Sequence, residues 1–396
     1  MKFNKNYFLL VTGQSIANIG DVLYMLSVIS TIFALTGSAA ASSFVPFTIT
    51  TSMFLSSLLT PLIIGKVNLK WILASSQIGK TVLLTFLCLS LHAITVSNYY
   101  LLFIMIGMIA FLDGCANPIK QTLIPHYVKD EHLLKANGIS ESVTQTIQTI
   151  MWFAGSLLLV ALGPVQLTWV VVGLFMISSM LLCLLQNVTH QKNEETGKLE
   201  QIKEGWIKLF QTPVLRKIAW IESVETIAGT VWIAAILYVF VSDALNVDEK
   251  WWGFINGAFF FGLIIGSVYC IKYAAFIQKR VGTSIFIGSL ACCVVTLLFS
   301  FNRFPIIALI LSLCIGFFGQ LKSIPLETII QKSVPKEQLA AVYTSLGALG
   351  TGLFGISSVM MGILSDIIGV QMVFMLSGVM LLIGTVVLFR SRKLFT

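Results

Sequence analysis

Twelve apolar runs of membrane length, separated by short breaks, constrain this 396-residue chain more than any other feature. Hydrocarbon offers no partners to a bare backbone, so a run of about 20 apolar residues folds as a spanning helix. The runs lie near 7–35, 42–65, 69–92, 98–118, 138–163 and 165–187, then 214–241, 250–275, 282–301, 304–323, 338–365 and 367–390. They predict an all-α membrane protein of twelve transmembrane helices and leave no room for a sizeable catalytic domain outside the bilayer. Charged residues make up 11% of the chain, where a soluble domain carries about 25%. The first run follows Met1-Lys2 and Lys5 and precedes Ser38-Ala39-Ala40, as a cleavable signal would. Its length, and Asn18 and Asp21 inside it, predict a retained helix instead.

Placing the N-terminus in the cytoplasm puts every one of the 25 Lys and Arg on that side except Lys80, Lys250 and Arg303. Cytoplasmic loops hold the basic excess, so both termini are expected inside, in a bacterial cytoplasmic membrane. The formal net charge of +8 is then a topology signal and not a nucleic-acid surface, which would need those charges on one soluble face. The longest polar stretch, 188–213, divides the chain into bundles 1–187 and 214–396. Within it Leu199, Ile202, Trp206, Leu209 and Phe210 recur at helical spacing beside Lys198, Lys203, Glu204 and Lys208. This predicts a cytoplasmic linker with an interfacial amphipathic helix.

The halves resemble each other at an offset near 206. Asn117-Pro118, with Lys129-Asp130-Glu131 and Leu133, answers Ile324-Pro325, with Pro335-Lys336-Glu337 and Leu339. Gly163-Pro164-Val165-Gln166 answers Gly369-Val370-Gln371. Two related six-helix halves are a common plan of secondary transporters.

On these features the whole chain resembles the major facilitator superfamily. Asn117-Pro118, Leu123-Ile124-Pro125, Val128, Leu133 and Ala136-Asn137 are similar to the loop after the fourth helix in the drug–proton antiporter branch that includes bacterial macrolide exporters and the enterobactin exporter. Glu204-Gly205 with Pro213, Leu215 and Arg216 resembles that branch's entry into the seventh helix, and Ile19-Gly20-Asp21 its first helix. The resemblance implies two pseudo-symmetric six-helix bundles in the major facilitator fold, and alternating access. Two departures stand out. The superfamily's loop between its second and third helices usually reads G-x-x-x-D-R-x-G-R-[KR], whereas here Gly65-Lys66-Val67-Asn68-Leu69-Lys70 lacks the acid. Of the antiporter signature ending G-P-x-x-G-G, only Gly163-Pro164 survives, so antiport is implied by the branch and not by that motif.

An ionisable group inside the hydrocarbon is costly and marks a functional position by default. In the first run Gln14, Asn18 and Asp21 form one polar stripe, and in the seventh Glu222 and Glu225 share a face with Gly229 and Trp232. Glu225 stands 204 residues after Asp21, which places acids at comparable depth on the first helix of each half. Two readings stand: these carboxyls take up a proton or meet a cationic substrate, burial favouring the proton-bearing form of an acid in general, or they form a static ion pair with Lys80. Glu141, Thr144, Gln145, Gln148 and Trp152 share a face of the fifth run as a candidate cavity wall, with loop anchoring as the other reading of Glu141. Asp113, Lys120, Gln320, Lys322 and Glu327 group near the inner ends of the fourth and tenth runs, as gate-like ion pairs or interfacial anchors. Gly253, Gly257, Gly262 and Gly266, with Gly347, Gly350 and Gly355, are expected to allow close helix approach.

Ala74 to Thr81, with Gly79-Lys80-Thr81, fits a permissive phosphate-loop pattern, but that motif needs a strand before it and here the run is membrane-length. No nucleotide is expected. Asn187-Val188-Thr189 fits a glycosylation triplet on the side read as cytoplasmic. The seven cysteines fall in apolar runs without C-x-x-C spacing, and the four histidines (His92, His126, His132, His190) lie near run ends or in loops. No metal, cofactor or enzymatic constellation is therefore expected. The reading that follows is a monomeric secondary transporter, driven by protons, exporting an amphipathic, drug- or macrolide-like small molecule, with membrane lipid and protons as its other partners. A lipid or siderophore exporter or an uptake symporter is the alternative within that class. A polytopic sensor or membrane enzyme is the alternative outside it.

Overall fold

The computed structural model describes residues 3–36, 39–64, 66–90, 94–95, 98–188, 198–232, 234–248, 250–391 and 394. Fourteen α-helices follow in order: α1 Lys5–Thr36, α2 Ala39–Leu59, α3 Leu69–Ser90, α4 Tyr100–Tyr127, α5 Leu133–Cys183, α6 Lys198–Gln211, α7 Pro213–Gly229, α8 Ala234–Val239, α9 Lys250–Lys272, α10 Ala274–Lys279, α11 Val281–Phe301, α12 Pro305–Ser333, α13 Lys336–Ile368 and α14 Val370–Ser391. Ten described helices are long and apolar enough to cross a membrane, and Pro213–Trp232 with Ile236–Ala244 makes an eleventh span if the bent pair counts as one. The fifth and sixth expected runs, 138–163 and 165–187, share one helix. Gly163, at φ 76°, breaks the 51-residue α5 into two limbs. A left-handed residue cannot sit in a right-handed helix without turning the chain, and glycine alone adopts it cheaply. Pro164 then opens the second limb, where its missing N–H costs little.

Several ends differ from expectation. The runs read as 98–118 and 304–323 continue as α4 to Tyr127 and α12 to Ser333, through Pro118, Pro125 and Pro325. A proline ring presses on the carbonyl four residues back. For Pro118 that residue is Gly114, itself tight against Ser56 and Met53 of α2. The run read as 214–241 is divided: α7 closes into a 3-10 turn at Thr230–Trp232, and α8 runs into a π-turn at Phe240–Ala244.

The chain forms two compact units. The first holds residues 1–129, 147–207 and 335–351. In it α4 packs on both α2 and α3, around a core that includes Leu23, Ile32, Leu84, Ile106, Val171 and Phe175. The second holds 130–146, 208–334 and 352–396. There α12 packs on α9 and α11, and α14 on α11 and α7. Gly262 and Gly316 make the α9–α12 contact possible: a Cβ at either would lie 2.1 Å from the Leu313 carbonyl oxygen or 2.2 Å from that of Phe259. Gly266 is similarly confined, whereas Gly253, Gly257, Gly350 and Gly355 face open space and are not packing glycines here.

Each unit also takes in the opening of one long helix from the other sequence half. In the second unit Asn137 of α5 exchanges amide hydrogen bonds with Gln331 of α12, at 2.8 and 3.2 Å. In the first, the Lys336 ammonium of α13 donates to the Pro125 carbonyl, and Gly205 of α6 lies so close to α13 that a Cβ would meet the Ala341 carbonyl oxygen at 2.1 Å.

Candidate functional site: two buried carboxylate–lysine clusters

The first unit holds an ion triad drawn from three helices. Lys80 of α3 donates from Nζ to Asp21 Oδ1 of α1 at 2.6 Å and to Asp113 Oδ1 of α4 at 2.8 Å. The lysine side chain is 1% exposed, and the two carboxylates about 30%. The cation is therefore enclosed while both acids keep an open side. Phe175 of the second α5 limb lies with its ring centroid 4.9 Å from the same Nζ, adding a cation–π contact. Two glycines set this geometry. A Cβ on Gly20 would fall 2.5 Å from the Phe175 ring, and one on Gly79 would fall 2.8 Å from Leu112. Each precedes a charged member of the triad, so the backbone is closest where the charges must meet. Gln14 is buried and Asn18 half-buried on the same helix as Asp21. The Tyr24 hydroxyl and Gln77 Nε2 are buried without a hydrogen-bond partner, one turn from Asp21 and Lys80 respectively.

The second unit builds its own cluster. Lys322 of α12 donates to Glu225 Oε2 of α7 at 2.5 Å, with both side chains largely buried (12% and 15% exposed). Glu222 lies within electrostatic reach of both Lys322 and Glu225, and Glu327 within reach of Glu222. Gly288 of α11 admits Lys322, since a Cβ there would sit 2.9 Å from the lysine Cβ. Gly288 and Lys322 each stand 209 residues after Gly79 and Asp113. The internal repeat thus preserves the glycine and the charged position on the next helix, but exchanges an acid for a base.

The other sequence candidates fall as follows. Asp113 stands with Lys80, and Lys322 with Glu225, so these two members of the expected gate group belong to separate clusters and separate units. Gln145 donates to Glu141 one turn back on α5 at 3.3 Å. Gln148 is half-buried, and the Trp152 side chain lies outside the described residues, as do His92 and His190. Trp232 packs on Phe299 and Phe374, with ring centroids 4.6 and 5.4 Å away, inside the hydrophobic core of the second unit. Its ring is engaged in packing. The phosphate-loop look-alike, Ala74 to Thr81, is continuous α3 helix, and its lysine is the triad's cation. Phe175 and Gly288 escaped the sequence reading, which named Gly20 and Gly79 only as parts of motifs and not as close-packing positions. For Gly20 and Gly79, a glycine directly before a membrane-embedded charge was the available signal.

The family model of the Major Facilitator Superfamily matches residues 7–355. The chain belongs to the major facilitator superfamily. It is 30% identical over 390 residues to YfmI, an uncharacterized MFS-type transporter of Bacillus subtilis (strain 168), covering 97% of this chain and 95% of that one. Among solved structures it resembles the E. coli fucose:proton symporter FucP, with a TM-score of 0.76 at 12% identity over 98% of both chains. It also resembles a bacterial homologue of the iron transporter ferroportin, with a TM-score of 0.75 at 14% identity over 98% of this chain and 99% of that one. At such identity these structures share the fold. The protein is a polytopic membrane transporter and not an enzyme, and its two clusters bring acids and lysines together within the helices of each unit.

Proposed function

We propose that this transporter exports an amphipathic small molecule in exchange for protons, by alternating access, in the drug–proton antiporter branch of its superfamily. The observation that carries this reading is the imbalance of each cluster. Two carboxylates share one lysine in the first unit, and in the second Glu222 stands beside the Glu225–Lys322 pair as a second acid to one lysine. Buried charge without a counterion is strongly unfavourable, so the surplus acids need a proton or a cationic group. Asp21 and Asp113 compete for Lys80, and Glu222 stands beside a Glu225 already paired with Lys322. On this reading Asp21 and Glu222 are the proton carriers, and the lysines hold the site together when protons leave. The half-buried Gln145 and Gln148 are offered as cavity wall. Both termini and the 188–213 linker are placed in the cytoplasm of a bacterial cell by the basic excess.

Everted membrane vesicles test the direction. With an imposed gradient, acid inside, a panel of lipophilic amines and macrolides should include compounds that accumulate in vesicles carrying the protein well beyond the passive trapping of weak bases seen in vesicles without it, and that leave when the gradient is collapsed. Accumulation only in right-side-out vesicles with acid outside would make the protein an uptake symporter instead.

A further inference from the structure

The geometry points to a binding site for one anionic phospholipid on the outer face of α3 and the second limb of α5. A groove of about 510 Å³ lies there, walled by Ile78 and Val82 on α3 and by Met176, Met180 and Leu184 on α5. All five wall residues are substantially exposed, between 41% and 67%. The polar groups at its floor are already satisfied: Thr81 and Ser179 lie 3.2 Å apart through their hydroxyls, and each donates to the carbonyl one turn back on its own helix at 2.8 Å. With no hydrogen bond left to offer, the groove accepts hydrocarbon. From Met176 to Leu184 the wall spans eight residues, about 12 Å at the helical rise, the scale of part of one acyl chain.

One end of the groove is chemically distinct. Trp71 lies two turns before Ile78 on the same face of α3 and is 43% exposed, with the Lys70 ammonium 4.7 Å from its ring centroid. Exposed Lys66 lies in the preceding loop. The end of α5 is tied to this place, because Asn68 donates to the Val188 carbonyl at 2.6 Å and accepts from its N–H at 3.2 Å. Asn6 binds Gln186 at 2.8 Å and carries exposed Lys5 beside it. Exposed Lys5 and Lys66, with Trp71 and the largely buried Lys70 against its ring, thus lie on segments tied together where the acyl groove ends, an arrangement suited to an anionic headgroup. The occupant is a phospholipid with its phosphate among Lys5, Lys66 and Lys70 and one acyl chain in the groove. The inner faces of the same two helices carry Lys80 and Phe175, so the lipid braces the walls of the triad.

Native mass spectrometry of the full-length protein released from detergent, titrated separately with phosphatidylglycerol and phosphatidylcholine, tests this. A single phosphatidylglycerol adduct should dominate. Lys66→Gln with Lys70→Gln should lower its preference over phosphatidylcholine by about five-fold per lysine. Ser179→Phe, which projects a ring from the groove floor, should remove the adduct. Val82→Trp fills the groove from its wall, leaves the Thr81–Ser179 contact intact, and should do the same if Ser179→Phe fails to fold. Equal binding of the two lipids to the wild type would overturn the headgroup site. An adduct that survives Val82→Trp undiminished would overturn the groove.

Discussion

At the residue scale, the triad works because Lys80 has two partners. Removing one carboxylate leaves the ammonium paired, so Asp21→Asn and Asp113→Asn should each fold with small losses in thermal stability. Lys80→Met instead leaves two acids facing each other and should destabilise the protein by about 3–5 kcal/mol, the usual penalty for stranding buried charge. Adding Asp21→Asn and Asp113→Asn to Lys80→Met removes the charges together and should restore most of that loss, which thermal unfolding in detergent can read. Gly20 is a second lever. Gly20→Ala drives a Cβ to 2.5 Å from Phe175 and should cost about 1–3 kcal/mol, as overpacking does, with Phe175→Leu restoring it. The Asp21–Lys80 pairing was legible in the sequence because both are ionisable groups inside apolar runs. Asp113 was not, since its depth alone could not say which way its helix is turned. Charge depth is written along a chain; azimuth is set by packing, here by Gly79 against Leu112.

At the scale of elements, the internal repeat is visible in backbone conformation. Gly163 and Gly369 have φ of 76° and 85° and are the positive-φ glycines of the described residues, 206 residues apart. Gly163→Ala and Gly369→Ala should each cost about 1–2 kcal/mol through the left-handed penalty alone, although Gly369 has open space around it. An alanine tolerated at both positions, by thermal unfolding, would mean the helix breaks can relax. Helix cores were legible from hydrophobic runs, and the break at 163 from a Gly-Pro pair. The ends at Tyr127 and Ser333 were not, because prolines that usually stop a helix are carried here inside α4 and α12. The stretch read as an amphipathic linker contains helix α6, but nothing in its pattern announced that Gly205 would serve as its contact with α13.

At the scale of the whole molecule, membrane topology and energy coupling are the two properties the account rests on. Cysteines introduced at Lys203 and Lys129, in a background without native thiols, should resist membrane-impermeant maleimides in intact cells and react after permeabilisation. One at Asp248 should react at once. The opposite pattern would reverse the proposed orientation and with it the direction of export. Coupling is tested most directly by proton movement in proteoliposomes during transport of a panel compound, followed with an internal pH dye for the wild type, Asp21→Asn, Glu222→Gln and the double variant. The surplus-carboxylate account predicts compound-dependent proton flux in the wild type, a reduced flux in each single variant and none in the double variant, with compound binding retained in Asp21→Asn because Asp113 still holds Lys80. Full proton flux in the double variant, or compound movement without protons in the wild type, would contradict it.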